Sequence, residues 1–289
     1  MSTLTEKENE SLEDLLLAIV DKLARKEFDL PPLPQVASRV LALTTDPDAD
    51  GSQLTSLIQQ DPVLTAKIFQ ASNSAASGAS RKIESLSQAV SWLGLNTIAG
   101  SAYALSMQAG VFDVRGYEQE VKGLWTHALA TGFYGKAIAG HIGQNPDTAF
   151  LCGLLHDIGK PFVVHTVNQQ QKNASTRIPW SVMLTLFKDS SKEVGRQLAL
   201  EWEFPDPVKE AIHLYPDHAY HRASSPTNST VITNLAHHLA SQFVDPQAIS
   251  DDRLRALPVL QALQLPDETT DALLCLKKTI RAQVDSMLT

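Results

Sequence analysis

The sequence predicts an all-α chain, and three observations carry that prediction. Apolar residues recur at helical spacing almost throughout, and no segment sustains the apolar/polar alternation of a half-buried strand. Turn signals such as Thr45-Asp46-Pro47 and Asp61-Pro62 separate the periodic stretches. At 289 residues, 43% of them hydrophobic, the chain can build one large domain or two smaller ones.

Taken in order, a first helix is expected over about 11–26, capped by Ser11, with Leu12, Leu15, Leu16, Ile19, Val20 and Leu23 on its apolar face. Leu30-Pro31-Pro32-Leu33-Pro34 is a stiff connector, because each proline fixes its own φ and keeps its predecessor extended. Helices follow over about 35–43 and to Gln59. Asp61 as N-cap and Pro62 at the first helical position open the next one, which runs into Asn73-Ser74. Asn73 and Ser74 read as helix terminators. Two helices, about 83–93 and 95–107, are hinged at Gly94.

The second half opens with a long helix, about 118–140, carrying Trp125 and His127. Asp147 or Thr148 starts the next. The polar stretch Asn168 to Thr176 reads as a mobile loop. Further helices are expected at about 180–187, 190–202, 206–214 and 228–243, and from Pro266 onward. The weakest internal boundary falls near Gly110 to Gly116, since all nine histidines follow it. The expected organisation is an N-terminal helix (1–26), a helical lobe (27–112), a second lobe (113–245) and a helical extension (246–289).

A formal net charge of -8 argues against a general nucleic-acid binder, which gains affinity by neutralising phosphates. No window has the apolar length of a membrane span, and Met1 to Glu10 lacks the basic and apolar regions of a signal peptide, so a cytoplasmic location is expected. Cys152 and Cys275 read as buried free thiols. Lys277, Lys278 and Arg281 read as a solvated helix face. Trp92, Trp125, Trp180 and Trp202 read as core.

Candidate chemistry centres on Leu154-Leu155-His156-Asp157-Ile158-Gly159-Lys160. A buried carboxylate is costly unless a cation, metal or hydrogen-bond network meets it, so Asp157 needs a local partner. Lys160 lies one turn from His156 if the helix continues. His127 and His237 sit on other predicted helices. Helical bundles build metal sites from imidazole and carboxylate groups projecting inward in this way, and such a set suits zinc, iron, manganese or nickel. The same residues also admit a structural reading: His127 as a satisfied core histidine, and His156 with Asp157 as a hydrogen-bonded pair neutralised by Lys160. His238 reads as a surface residue, and His141, His165, His218 and His221 as solvated or capping ones.

Several motifs make a family resemblance specific. Leu30-Pro31-Pro32-Leu33-Pro34, Ile58-Gln59-Gln60-Asp61-Pro62, Ala71-Ser72-Asn73-Ser74-Ala75 and Ala89-Val90-Ser91-Trp92-Leu93-Gly94 mark the first half. His127, His156-Asp157 with Gly159-Lys160, and Glu201-Trp202-Glu203-Phe204-Pro205 mark the second. Together they resemble the HDOD family, a helical module related to the HD superfamily of metal-dependent phosphohydrolases. The resemblance covers roughly Glu27 to Ser241. It implies metal ligation by His127, His156 and Asp157, with His237 standing where the superfamily has an Asp. It also implies two gaps in a second metal's ligand set, where this chain has Ser191 and His213-Leu214. The resemblance therefore implies a regulatory, protein-binding module of bacterial signalling that holds one divalent metal (Fe, Mn, Zn or Ni) or a degenerate site. The alternative is an active phosphohydrolase in which Asp157 ligates or bridges metal and Lys160 binds phosphate.

Overall fold

The protein is described by a computed structural model over residues 17–22, 25, 35–46, 48–73, 82–110, 114, 116–171, 177–215 and 229–288, with helices and turns but no strand among the described residues. The Pro-rich connector, Ser74, His218 and His221 lie outside them. Of the first expected helix, 17–22 is described and helical. Ile19 is buried there while Leu17 and Val20 are exposed, so Val20 does not belong to the apolar face.

The first half consists of α1 (Gln35–Thr45), α2 (Gly51–Ile58), α3 (Pro62–Ser72), α4 (Leu86–Leu93) and α5 (Leu95–Gly110). Asp50 starts α2 with a capping box shared with Gln53, a motif that contributes about 1 kcal/mol. Asp61 accepts from the Leu64 amide at the head of α3. Asn73 ends α3 without entering the left-handed region. Its side chain pairs with both backbone groups of Ile83, at 2.8 and 2.9 Å, and so pins the far end of the following connection. Gly94, at φ 88°, turns α4 into α5.

In the second half come α6 (Glu118–His141), α7 (Pro146–Leu155), α8 (Gly159–Gln171), α9 (Trp180–Leu186), a π turn (Phe187–Ser191), α10 (Lys192–Glu201), α11 (Asp206–Leu214) and α12 (Ser229–Val244). Asn145 caps α7 and Pro146 occupies its first turn, so that helix begins just before Asp147. Helices α6, α7 and α12 pack against one another. A Cβ added at Gly153 of α7 would stand 2.6 Å from Thr131 O and 2.8 Å from Gly132 Cα. The two helices thus cross backbone against backbone, one turn from His127 and three residues from His156. The expected loop over Asn168 to Thr176 is helical up to Gln171, and 172–176 lie outside the described residues. The separate helices expected around 187–190 are joined by the π turn.

Lys136 of α6 ties the two halves together. Its ammonium donates to Leu93 O and to Thr97 Oγ1, both at 2.7 Å, and lies 3.6 Å from Asp147, which accepts from Thr97. Beyond α12 lie α13 (Asp251–Arg255), α14 (Pro258–Ala262), α15 (Asp267–Cys275) and α16 (Lys277–Leu288). The first two are too short for their periodicity to register in the sequence. The helix expected from Pro266 is broken at Leu276. Helix α16 packs on both α3 and α6 through its buried face of Ile280, Val284 and Met287.

Three surface expectations change. Arg281 stacks over the Phe243 ring and donates to Phe243 O, and Lys277 reaches Gln242 O. Two members of the basic cluster therefore serve the carboxyl end of α12, where the helix dipole favours cations. Cys275 is exposed, unlike buried Cys152. Trp92 is 52% exposed, and Trp180 is half-buried, whereas Trp125 and Trp202 are core.

Candidate metal centre

Four elements converge on one point. His127 comes from α6, His156 caps the end of α7, Asp157 sits in the turn before α8, and His237 comes from α12. Each offers one donor atom, and these atoms all lie within 4.8 Å of one another. The helix does not continue through His156. It tightens into a turn, with the Ile158 amide on Leu155 O and the Lys160 amide on Asp157 O, before α8 restarts at Gly159.

The tautomers can be read from the hydrogen bonds. His156 Nδ1 lies 2.6 Å from Gly153 O, which can only accept, so Nδ1 carries a proton and Nε2 is the ring nitrogen that faces the cluster. His237 Nδ1 is 3.1 Å from that Nε2 and 3.0 Å from His127 Nε2. Three ring nitrogens thus meet at hydrogen-bonding distance. A cation held among them would accept a lone pair from each. Ligand atoms in a tetrahedral site with bonds of about 2.0–2.1 Å stand about 3.3 Å apart; three contacts here measure 3.0, 3.1 and 3.4 Å and the whole set lies within 4.8 Å, so side-chain adjustment alone fits it to a metal of the zinc, iron, manganese or nickel kind.

The electrostatics keep two of the imidazoles, His127 and His237, neutral. Burial first, and His156 second, push His127 down to about 3. Burial, then His127 and His156, hold His237 well below its ordinary value. For Asp157, burial acts upward, but Lys160 and then His156 overcome it and hold the carboxyl well below the usual carboxylate range. Lys160 donates to Asp157 Oδ2 and Tyr215 OH donates to Oδ1. His127 and His237 are therefore neutral nitrogen donors beside an ionised carboxylate, the protonation states that metal ligation requires.

These residues form the foot of an open cavity of about 810 Å³, a size ordinary for small-ligand sites. Trp180, Leu184 and Phe187 give it an apolar wall, and Lys160, Lys188 and Lys192 also line it. The π turn shapes that wall. A Cβ at Gly159 would fall 1.8 Å from Ser191 O, so only glycine lets α8 start against the turn. Ser191 lines the cavity with its hydroxyl held by Phe187 O at 2.6 Å. His213 is exposed, whereas Tyr215, two residues on, lines the cavity.

A family model described as the HDOD domain matches residues 30–217. The chain belongs to the HDOD family. An uncharacterized protein of Treponema pallidum (strain Nichols) is 30% identical to this HDOD chain over 203 residues, 67% of the chain but 39% of that relative's length. Among solved structures, a candidate metal-dependent phosphohydrolase of Shewanella amazonensis superposes with a TM-score of 0.71 at 22% identity, over 95% of this chain and 99% of the other. An HDOD domain protein of unknown function from Geobacter sulfurreducens gives 0.67 at 23% identity, over 92% and 97%. A candidate signal transduction protein of Marinobacter aquaeolei gives 0.64 at 21% identity, over 100% and 68%. At these identities the likeness establishes the shared HDOD fold.

The structure brings together all the residues singled out for this HDOD centre: His127, His156, Asp157, Lys160 and His237. Two participants escaped sequence reasoning. Tyr215 holds Asp157, and Asn234 donates from Nδ2 to Tyr215 O at 2.9 Å, one turn before His237. The buried Asn234 Oδ1 has no hydrogen-bond partner among the described residues. A Tyr after a helix and an Asn within one carry no spacing signal that separates them from structural residues. His238, expected at the surface, is half-buried at the cavity wall. His141 is exposed, in line with a solvated role, whereas His165 is half-buried within α8, near the Phe162 ring and paired with Gln169.

Proposed function

We propose that this HDOD chain is a regulatory, protein-binding module of bacterial signal transduction built around a single divalent-metal centre, with His127, His156, Asp157 and His237 as its ligands. The observation that supports it is the convergence of three imidazoles and one ionised carboxylate on the lining of the cavity. The division into lobes at 27–112 and 113–245, with 246–289 as an extension, belongs to the same proposal. So does a cytoplasmic setting; among the described residues no helix is long and apolar enough to cross a membrane.

Elemental analysis of untagged protein tests the centre. The expected outcome is about one metal per chain, retained through dialysis and lost in His156→Ala. A chain that takes up no manganese, iron, zinc or nickel would overturn it.

The cavity supports a second reading, a metal-dependent phosphohydrolase. Bound metal would activate water, Asp157 would ligate it, and Lys160 would hold a substrate phosphate. Among the described residues, the two positions of a second ligand set speak against a two-metal site: Ser191 offers a hydroxyl already engaged, and His213 lies outside the cavity lining. A screen with phosphomonoester and phosphodiester substrates separates the readings, since turnover lost in Asp157→Asn belongs to the hydrolase alone.

A further inference from the structure

The single-metal reading leaves the position of Lys160 unexplained. Its ammonium sits on Asp157 Oδ2, the oxygen that lies 3.4 Å from His156 Nε2 and so faces the imidazole cluster. Tyr215 occupies Oδ1. A cation drawn to the three nitrogens must ligate through the oxygen that Lys160 holds, and an ammonium and a divalent ion repel at that range. Lysine is a point charge on a flexible four-carbon stem, at the start of α8 and on the cavity wall, so it can leave one acceptor for another without moving the backbone.

We propose that Lys160 and a divalent cation compete for Asp157 Oδ2, and that metal uptake turns the Lys160 ammonium into the cavity to receive an anionic group. Lys188 and Lys192, presented by the π turn and the start of α10, line the same cavity. The ligand class is an oxyanion such as a phosphate group, whose body would lie against Trp180, Leu184 and Phe187. The inference rests on the single-metal reading and adds a coupling to it. Metal exposes the anion receptor, and by reciprocity the anion tightens the metal.

The test is Mn²⁺ titration of the chelator-stripped full chain by calorimetry, with and without inorganic phosphate kept too dilute to precipitate the metal. Lys160→Met keeps the stem and removes the charge. The expected result is Mn²⁺ affinity about tenfold tighter in Lys160→Met than in the native chain without phosphate. Phosphate should tighten Mn²⁺ about fivefold in the native chain and leave the variant almost unchanged. Equal or weaker Mn²⁺ affinity in the variant overturns the competition. Absence of binding by both proteins overturns the single-metal reading, and the inference with it. A second measurement needs no variant: amine-reactive labelling of the native chain, read peptide by peptide, should rise at Lys160 on adding Mn²⁺ while Lys209 stays constant. Unchanged or falling labelling at Lys160 is the contrary result.

Discussion

Gly153→Ala is the substitution that most directly tests how the fold sets the site. The added methyl would stand 2.6 Å from Thr131 O and 2.8 Å from both Gly132 N and Cα. All three are backbone atoms of α6, so no rotamer change relieves the clash and the helices must separate by several tenths of an ångström. Overpacking of this kind costs about 1–3 kcal/mol. Gly123, also on α6, has nothing within 4 Å of its Cβ position, so Gly123→Ala should stabilise by about 0.4–1 kcal/mol through helix propensity and chain entropy. Urea unfolding followed by circular dichroism measures both. His127 and His156 ride on the two helices being forced apart, so Gly153→Ala should also weaken metal uptake, whereas Gly123→Ala should not. If Gly153→Ala is as stable as the native chain, the helices do not meet backbone against backbone, and the account of how the imidazoles are positioned fails.

Three further outcomes are expected. Below pH 6.5 the unfolded chain binds a proton that His127 refuses down to about 3, so metal-free protein should lose stability as pH falls through that window. From pH 7 to pH 5 that one residue accounts for a loss of up to about 2 kcal/mol, which His127→Gln should abolish; parallel native and variant curves would refute the assignment. Tyr215→Phe strips a donor from Asp157 and should cost about 1.5–3 kcal/mol in urea unfolding; no change would mean that the hydroxyl contributes nothing. Burial pushes the Cys152 thiol up to about 12, so Ellman's reagent at pH 8 should modify Cys275 alone until urea is added, and rapid release of two equivalents would contradict the burial.

Much of the helical architecture could be read from local chemistry, because its boundaries are set by nearby residues. Asp61-Pro62 opens α3 through its own side chain, and Gly94 turns α4 into α5 because of its own φ. The cluster was partly readable, since His156-Asp157 is contiguous, His127 matches a family pattern, and His237 stands at the position where that pattern has an Asp. What escaped depends on partners distant in sequence. Tyr215 acquires its role from Asp157, 58 residues away, and Asn234 from Tyr215. Cys275 and Trp92 sit at apolar spacing yet face outward, because periodicity locates a stripe and not what covers it. The π turn adds a residue to the helical repeat, and a fixed period cannot register it.

Helix α16 joins parts of the chain that are made at very different times. Its seat is built from Pro62–Ser72 and Glu118–His141, yet Ile280, Val284 and Met287 emerge from the ribosome more than a hundred residues after either. During synthesis, at about 5–20 residues per second, the seat waits uncovered for several seconds. Nascent chains of this protein should therefore present an apolar groove to chaperones during that interval.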